Sequence, residues 1–208
     1  VEKYKKQGRG GTGSNGTNLL EDDYVNQLFI GSTKEHLLFI TNIGKAYWVK
    51  IHEIPEAEKT SRGAHIKGLL QVGPDEEITA IVSLMNFSDD LYIFMTTSNG
   101  VVKKVRSSEF ARAKTRGIIG IKLNDGDKLI SAIATKGDSD IMLISRRGKG
   151  LRFKDSSVRS MGRASCGIKG MKLAEGDEIA AAVKVEDDTS MILMTEKGYG
   201  KKISFDHY

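Results

Sequence analysis

Residues 5–16 read KKQGRGGTGSNG, a run in which five glycines surround one arginine and two lysines, the only charges. Three kinds of chemistry suit such a run: a phosphate cradle for a nucleotide, a flexible linker, or a loop that lays amides and an arginine on a nucleic-acid backbone. The pattern G-x-G-x-x-G occurs at Gly8, Gly10 and Gly13, and again at Gly11, Gly13 and Gly16. It holds a pyrophosphate only where it joins a strand to a helix inside a βαβ unit. Here the chain runs from YKKQ into TNLLEDD with no helical period behind it, so the dinucleotide reading is rejected.

Other catalytic arrangements are missing. There is no G-x-x-x-x-G-K-[ST], and no Ser-His-Asp or Cys-His constellation stands out. Cys166 is the single cysteine, and His36, His52, His65 and His207 are scattered without ligand spacing, so neither a disulfide nor a metal cluster is expected. Tyr4, Tyr24 and Tyr47 read as packing or surface residues. No apolar run approaches the roughly 18 residues of a membrane span, and no signal peptide is evident at Val1. A reducing, cytoplasmic setting is the expectation. A net charge of +5 and a pI of about 9.1 favour a polyanionic partner.

The elements around these residues repeat. LLFIT (37–41), LYIFMTT (91–97), IMLIS (141–145) and MILMT (191–195) each read as a strand, and Gly44, Gly100, Gly148 and Gly198 place a hairpin turn after each. The second strands are KAYWVK (45–50), VVKKVR (101–106), KGLRFK (149–154) and YGKKIS (199–204). Polar stretches then lead to Gly63, Gly117 and Gly167, and a further strand closes each unit: DEEITAIVSL (75–84), GDKLISAIAT (126–135) and GDEIAAAVKV (176–185). Gly13 falls into this register, at successive separations of 50, 54 and 50 residues, which aligns EDDYVNQLFI (21–30) with the closing strands. The predicted organisation is a half-repeat (1–36), repeats at 37–90, 91–140 and 141–190, and a half-repeat (191–208). Self-similarity at this period, four strands to the unit, predicts an all-β, propeller-like array of blades.

Side chains two apart on a strand share a face. Counting from each turn glycine, the fourth and sixth places hold Trp48 and Lys50, Lys104 and Arg106, Arg152 and Lys154, and Lys202 and Ser204; the third holds Tyr47, Lys103, Leu151 and Lys201. A basic belt around the array is expected, with acidic residues segregated at Asp23, Glu76, Asp127 and Asp177. Strands facing water also carry lysine for solubility and to protect edges.

The motifs YKKQGRGGTG (4–13), FITNIGKAYWVKIHEIPEAEKTSRG (39–63), MGRASCGIKG (161–170) and MTEKGYGKK (194–202) carry a resemblance that spans essentially the whole chain. The sequence resembles the C-terminal domain of the gyrase A protein of bacterial DNA gyrase, with the paralogous domain of topoisomerase IV as the alternative. That family carries a box of the form Q-[RK]-R-G-G-[RK]-G, and residues 7–13 read QGRGGTG, with Gly8 and Thr12 where the box has basic residues.

The resemblance implies a β-pinwheel, usually of six blades that exchange strands, of which this chain supplies about four repeats. It implies sequence-nonspecific binding, bending and chiral wrapping of double-stranded DNA, serving negative supercoiling by an A2B2 holoenzyme of gyrase A and gyrase B; in the topoisomerase IV alternative it guides decatenation or relaxation. Cleavage by tyrosine and hydrolysis of ATP with Mg lie elsewhere in that ATP-dependent topoisomerase, so no catalytic site, cofactor or membrane contact is expected here. The setting implied is the bacterial cytoplasm, at the chromosome. The expected DNA contacts are Gln7, Gly8, Arg9, Gly10, Gly11, Thr12 and Gly13, then Lys45, Lys50, Lys103, Lys104, Arg106, Arg152, Lys154, Lys201 and Lys202. The rival class, a protein-binding propeller, lacks its W-D or paired-glycine signatures, and Trp48 is the sole tryptophan.

Overall fold

The computed structural model describes residues 7–13, 16, 19, 21, 24–25, 27–58, 61 and 63–207. Four hairpins form its frame: β1 (His36–Thr41) with β2 (Lys45–Lys50), β4 (Tyr92–Thr97) with β5 (Val101–Arg106), β8 (Asp140–Ser145) with β9 (Gly150–Lys154), and β12 (Ser190–Met194) with β13 (Gly200–Ser204). Each turn closes through its glycine, held at a φ of 79° to 82°, where a side chain is strained. The glycine amide donates to the carbonyl three residues back, as in Gly44 N to Thr41 O (2.9 Å) and Gly198 N to Thr195 O (2.9 Å).

A closing strand then pairs with the first strand of each of the first three hairpins: β3 (Ile78–Leu84), β7 (Leu129–Thr135) and β11 (Ile179–Val185). The register slips at one recurring place, beside Thr41, Thr97 and Ile179. On the far side, two short strands cross between units. β6 (Ile118–Ile119), from the second repeat, pairs with β2, and β10 (Ile168–Lys169), from the third, pairs with β5. The sheet orders are therefore β3-β1-β2-β6 and β10-β5-β4-β7, then β11-β8-β9 and β12-β13 among the described residues. β3 packs along β7 and β7 along β11, so the closing strands lie innermost and the exchanged strands form the rim.

The blades stack through both faces of their hairpin strands, which is why those strands read as continuous apolar runs rather than alternating ones. Leu38 and Ile40 of β1 share a core with Ile93 and Met95 of β4. Phe94, on the other face of β4, joins Ile141 and Leu143 of β8. Met142 and Ile144 then join Met191 of β12. Each such side chain contributes about 1.5–3 kcal/mol by leaving water, so the stack is held by its inter-blade seams. Ile192 and Met194, in the register of Leu38 and Ile40, are exposed because no further sheet stands in front of β12 among the described residues.

The strand expected over residues 21–30 is not found. Its described residues (21, 24, 25 and 27–30) carry no strand, and Leu28 and Ile30 are exposed. The local sequence suits a strand, but among the described residues no hairpin precedes it to supply the pairing that the other closing strands find. Asp23 and Tyr4 lie outside the described residues.

Candidate nucleic-acid interface

The glycine-rich loop forms a tight exposed turn. Gly11 N donates to Gly8 O at 3.2 Å, with Arg9 and Gly10 between them, and Gly10 takes a φ of 82° that glycine adopts without cost. A Cβ on Gly11 would stand 2.6 Å from Gln7 Oε1 and 3.2 Å from Gly8 O, a crowding that the exposed end of the Gln7 side chain can relieve by turning away. All of Gln7, Gly8, Arg9, Gly10, Gly11, Thr12 and Gly13 are exposed, and Gly13 is again left-handed at 72°. Lys5 and Lys6 lie outside the described residues.

The lysines expected at the third and fourth places of the second blade are not on the surface. Lys103 is wholly buried, and Nζ donates to Gly120 O (3.0 Å), Ser165 O (2.8 Å) and Arg163 O. The cause is strand exchange: the third repeat crosses over β5 on its way into β10 and encloses the ammonium in carbonyls. Burial pushes Lys103 down to about 8, although the nearby Glu109 charge acts the other way. Tyr47 is its counterpart one blade earlier, where a Cβ on Gly117 of the crossing loop would collide with the phenol ring. Leu151, with no crossing segment over it among the described residues, is partly exposed.

Lys104 is also buried. Nζ donates to Asp155 O at 2.6 Å and lies 5.2 Å from the centre of the Tyr92 ring. Two other fourth-place residues do the same, while Lys202 is exposed. Trp48 Nε1 donates to Ala111 O at 3.2 Å, and Arg152 Nη1 to Phe205 O at 2.9 Å. Each acceptor belongs to the 3-10 turn, or its cap, after the second strand of the next hairpin. Arg152 is therefore half spent inside the fold, its Nη2 also held by Asp140 at 2.8 Å. The Arg152 hydrogen bond, with help from Lys154, holds the Asp140 carboxyl below its usual range.

What remains accessible is the sixth place. Lys50, Arg106 and Lys154 end the second strands of three consecutive blades; Arg106 and Lys154 are exposed and Lys50 half-buried. Lys154 keeps a longer contact to Asp140, at 3.4 Å. Lys201 and Lys202 are exposed on β13, and Lys45 is about half exposed while pairing with Glu76 at 2.8 Å.

The three described members of the acidic series, Glu76, Asp127 and Asp177, act inside the fold and not as a counter-field. Asp127 Oδ2 accepts from Thr97 Oγ1 (2.7 Å), and Oδ1 accepts from Ser98 Oγ (2.9 Å) and Asn99 N (3.0 Å), so the carboxylate pins the hairpin turn to the closing strand. Asp177 accepts from Arg147 N at 3.1 Å in the same way. Glu76 accepts from Lys45 Nζ and from Tyr47 Oη (2.7 Å).

Sequence reading passed over Arg112, Lys114 and Arg116, all exposed on the loop that crosses from the second blade to the first. The signal was available as RAKTRG, in register with the 7–13 loop, but beside the belt argument it read as a polar connector.

The family described as "DNA gyrase C-terminal domain, beta-propeller" matches residues 1–32, 35–85, 91–136, 139–186 and 189–208. The DNA gyrase A protein of Treponema pallidum is 51% identical over 165 residues, covering 79% of this chain and 20% of that protein. The DNA gyrase A protein of Escherichia coli is 41% identical over 162 residues, covering 78% of this chain and 18% of that protein. The chain thus spans about a fifth of the length of the curated relatives it matches. A solved DNA gyrase A C-terminal domain superposes with a TM-score of 0.75 at 30% identity, covering 99% of this chain and 66% of that one. The C-terminal domain of a DNA topoisomerase IV superposes with a TM-score of 0.77 at 30% identity, covering 85% and 55%.

Proposed function

The chain belongs to the DNA gyrase C-terminal domain family, and from that premise we propose that it binds double-stranded DNA without regard to sequence and bends it around the rim of the blades with a defined hand. The observation that carries this reading is the cation at one place in three consecutive blades, Lys50, Arg106 and Lys154. Binding that ignores base identity requires Lys and Arg on phosphates. Bending duplex smoothly costs of order 1–6 kcal/mol per 20–30 bp site, and release of counterions from each neutralised phosphate offsets it. The 7–13 loop, with its exposed glycine backbone and Arg9, serves as the anchor for one end of the wrap.

In this reading the domain is the wrapping module of a bacterial holoenzyme of gyrase A and gyrase B, in the cytoplasm at the chromosome. It supplies no cofactor chemistry; ATP, Mg and the strand-cleaving tyrosine act elsewhere in the assembly. Among the described residues no helix is long and apolar enough to cross a membrane. A second reading rests on the single cation, Arg9, in the 7–13 loop: a topoisomerase IV-like domain that guides DNA without strong wrapping.

The test is relaxed circular DNA incubated with the chain and a nicking-closing enzyme. Wrapping is expected to shift the linking number in one direction. Binding without such a shift favours the second reading. Binding that does not weaken with salt overturns both and points to a protein-docking propeller.

A further inference from the structure

The loop at residues 111–117 shares two backbone features with the glycine-rich loop. In the repeat register Gly10 matches Lys114 and Gly13 matches Gly117. All four are left-handed, with φ of 82°, 42°, 72° and 73°. Among the described residues, the matching loop of the third repeat is left-handed at Gly167 alone. Lys114 is therefore a lysine held in a conformation that its Cβ opposes, in a register where the 7–13 loop uses glycine. Strain of that kind persists where surrounding structure fixes it, and it concentrates at binding sites.

The surrounding structure is explicit. Ala111 O accepts from Trp48 Nε1 (3.2 Å), Ala113 O from Gly117 N (3.0 Å) and Thr115 O from Gln71 N (2.9 Å), and the Ala113 side chain is buried. The odd-numbered residues tie the loop to the protein, while Arg112, Lys114 and Arg116 alternate with them and are all exposed. Among the described residues none of the three makes an ion pair, whereas Lys45, Arg152, Lys154 and Arg163 each face a carboxylate. The loop leads directly into β6, the outermost strand of the first sheet, which puts it at the rim.

We infer that the 111–117 loop is a second duplex-anchoring site, in which Arg112, Lys114 and Arg116 neutralise successive phosphates. This rests on the DNA-binding reading above and adds to the rim cations a grip at the crossing between the first two blades. A loop backbone already fixed by these hydrogen bonds pays no ordering cost of its own on binding, which leaves only the cost of the three exposed side chains.

The experiment is a salt titration of duplex binding by the full chain, comparing the parent with Arg112→Gln/Arg116→Gln. Controls are the charge-preserving Arg112→Lys/Arg116→Lys and a second pair of exposed turn arginines, Arg146→Gln/Arg147→Gln. The test pair is expected to lower the slope of log K against log salt by roughly 1.8, so that the affinity lost between 50 and 200 mM salt shrinks by roughly tenfold. The lysine pair is expected to keep the parent slope, and the 146/147 pair to stay close to it. An unchanged slope in the test pair, or an equal fall in the 146/147 pair, overturns the site while leaving DNA binding intact. A parent chain that shows no salt-dependent binding overturns the DNA-binding reading and this site with it.

Discussion

Lys104 and Arg152 stand at the same place in successive blades and make the same hydrogen bond. Each reaches forward to a carbonyl of the turn after the next hairpin, Asp155 O at 2.6 Å and Phe205 O at 2.9 Å. Trp48 does so one blade earlier, onto Ala111 O. Each also rests on the residue that opens its own hairpin: Trp48 edge-on to His36 at 4.8 Å, Lys104 over the Tyr92 ring, Arg152 paired with Asp140. An aromatic pair, a cation over a ring and an ion pair thus fill one mechanical role, a brace between blades.

The brace gives the first prediction. Lys104→Ala removes the charged donor from the buried Asp155 carbonyl, which then keeps only Val158 N at 3.0 Å, and a hydrogen bond from a charged group contributes about 1.5–3 kcal/mol. Thermal unfolding should show a loss of about 2 kcal/mol, while the salt slope of DNA binding should match the parent's. A reduced slope would mean that Lys104 meets phosphate after all.

The Lys45–Glu76–Tyr47 cluster gives the second. Burial alone would raise the Glu76 carboxyl, but the hydrogen bonds from Lys45 and Tyr47, with the Lys45 charge, outweigh it and hold the group below its ordinary value of 4.5. A carboxyl lowered by folding stabilises above the unfolded value and loses that contribution as pH falls through the folded one. Glu76→Gln should therefore cost about 1–2 kcal/mol at pH 7, and the difference from the parent should close towards pH 3. A gap of constant size across that range in urea unfolding would refute the linkage.

The hairpins were legible in the sequence because their signals are local. Turn glycines at a fixed offset from apolar runs placed β2 and β5 to the residue and the other hairpin strands to within one residue. The belt was legible only in part. Alternation along β5 says that Lys104 and Arg106 share a face, but not that the next blade covers one and leaves the other in water. Lys103 shows the same limit, since its cage is made by residues 17 to 62 positions later in the chain. Asp127 and Asp177 looked like a segregated surface charge because their amide and hydroxyl donors in the hairpin turn carry no signature of their own.

Lys103 sets an alkaline prediction. Its folded value of about 8 lies below the 10.5 of an ordinary lysine, so between these limits the unfolded chain binds a proton that the folded chain does not. Stability then rises with pH across that window. At 1.36 kcal/mol per unit the full gain is on the order of 3 kcal/mol. Lys103→Met removes the titration, so the parent should gain on the variant between pH 7.5 and pH 10 in urea unfolding. A parent that loses ground over that interval contradicts the burial argument.

Asp155 is a site where stability can be raised. Its side chain is fully buried and neither carboxyl oxygen has a hydrogen-bond partner among the described residues. Ser107 holds the same place one blade earlier, where its hydroxyl donates to Ser88 O and accepts from Ser88 N, both at 2.9 Å. An unsatisfied buried polar group costs about 1–3 kcal/mol. Asp155→Ser keeps the backbone contacts to Ser139 and Lys104 and should raise the melting temperature by roughly 2–4 °C per kcal/mol recovered. A lower melting temperature would show that the carboxyl is stabilising where it stands.

Lys114 separates strain from charge in one substitution. A left-handed conformation costs an L-residue about 1–2 kcal/mol, and glycine gives back about 0.5–1 kcal/mol of that through the freedom of its unfolded chain. Lys114→Gly should therefore stabilise the fold by about 0.5 kcal/mol, by adopting the solution that Gly10 already uses at the matching place, at a φ of 82°. The same change removes one exposed cation from the rim loop, which should lower the salt slope of duplex binding by roughly 0.9. Stability and affinity then move in opposite directions. If the variant melts lower than the parent, the backbone at residue 114 is not strained; if its salt slope is unchanged, the cation touches no phosphate and the strain has some other use.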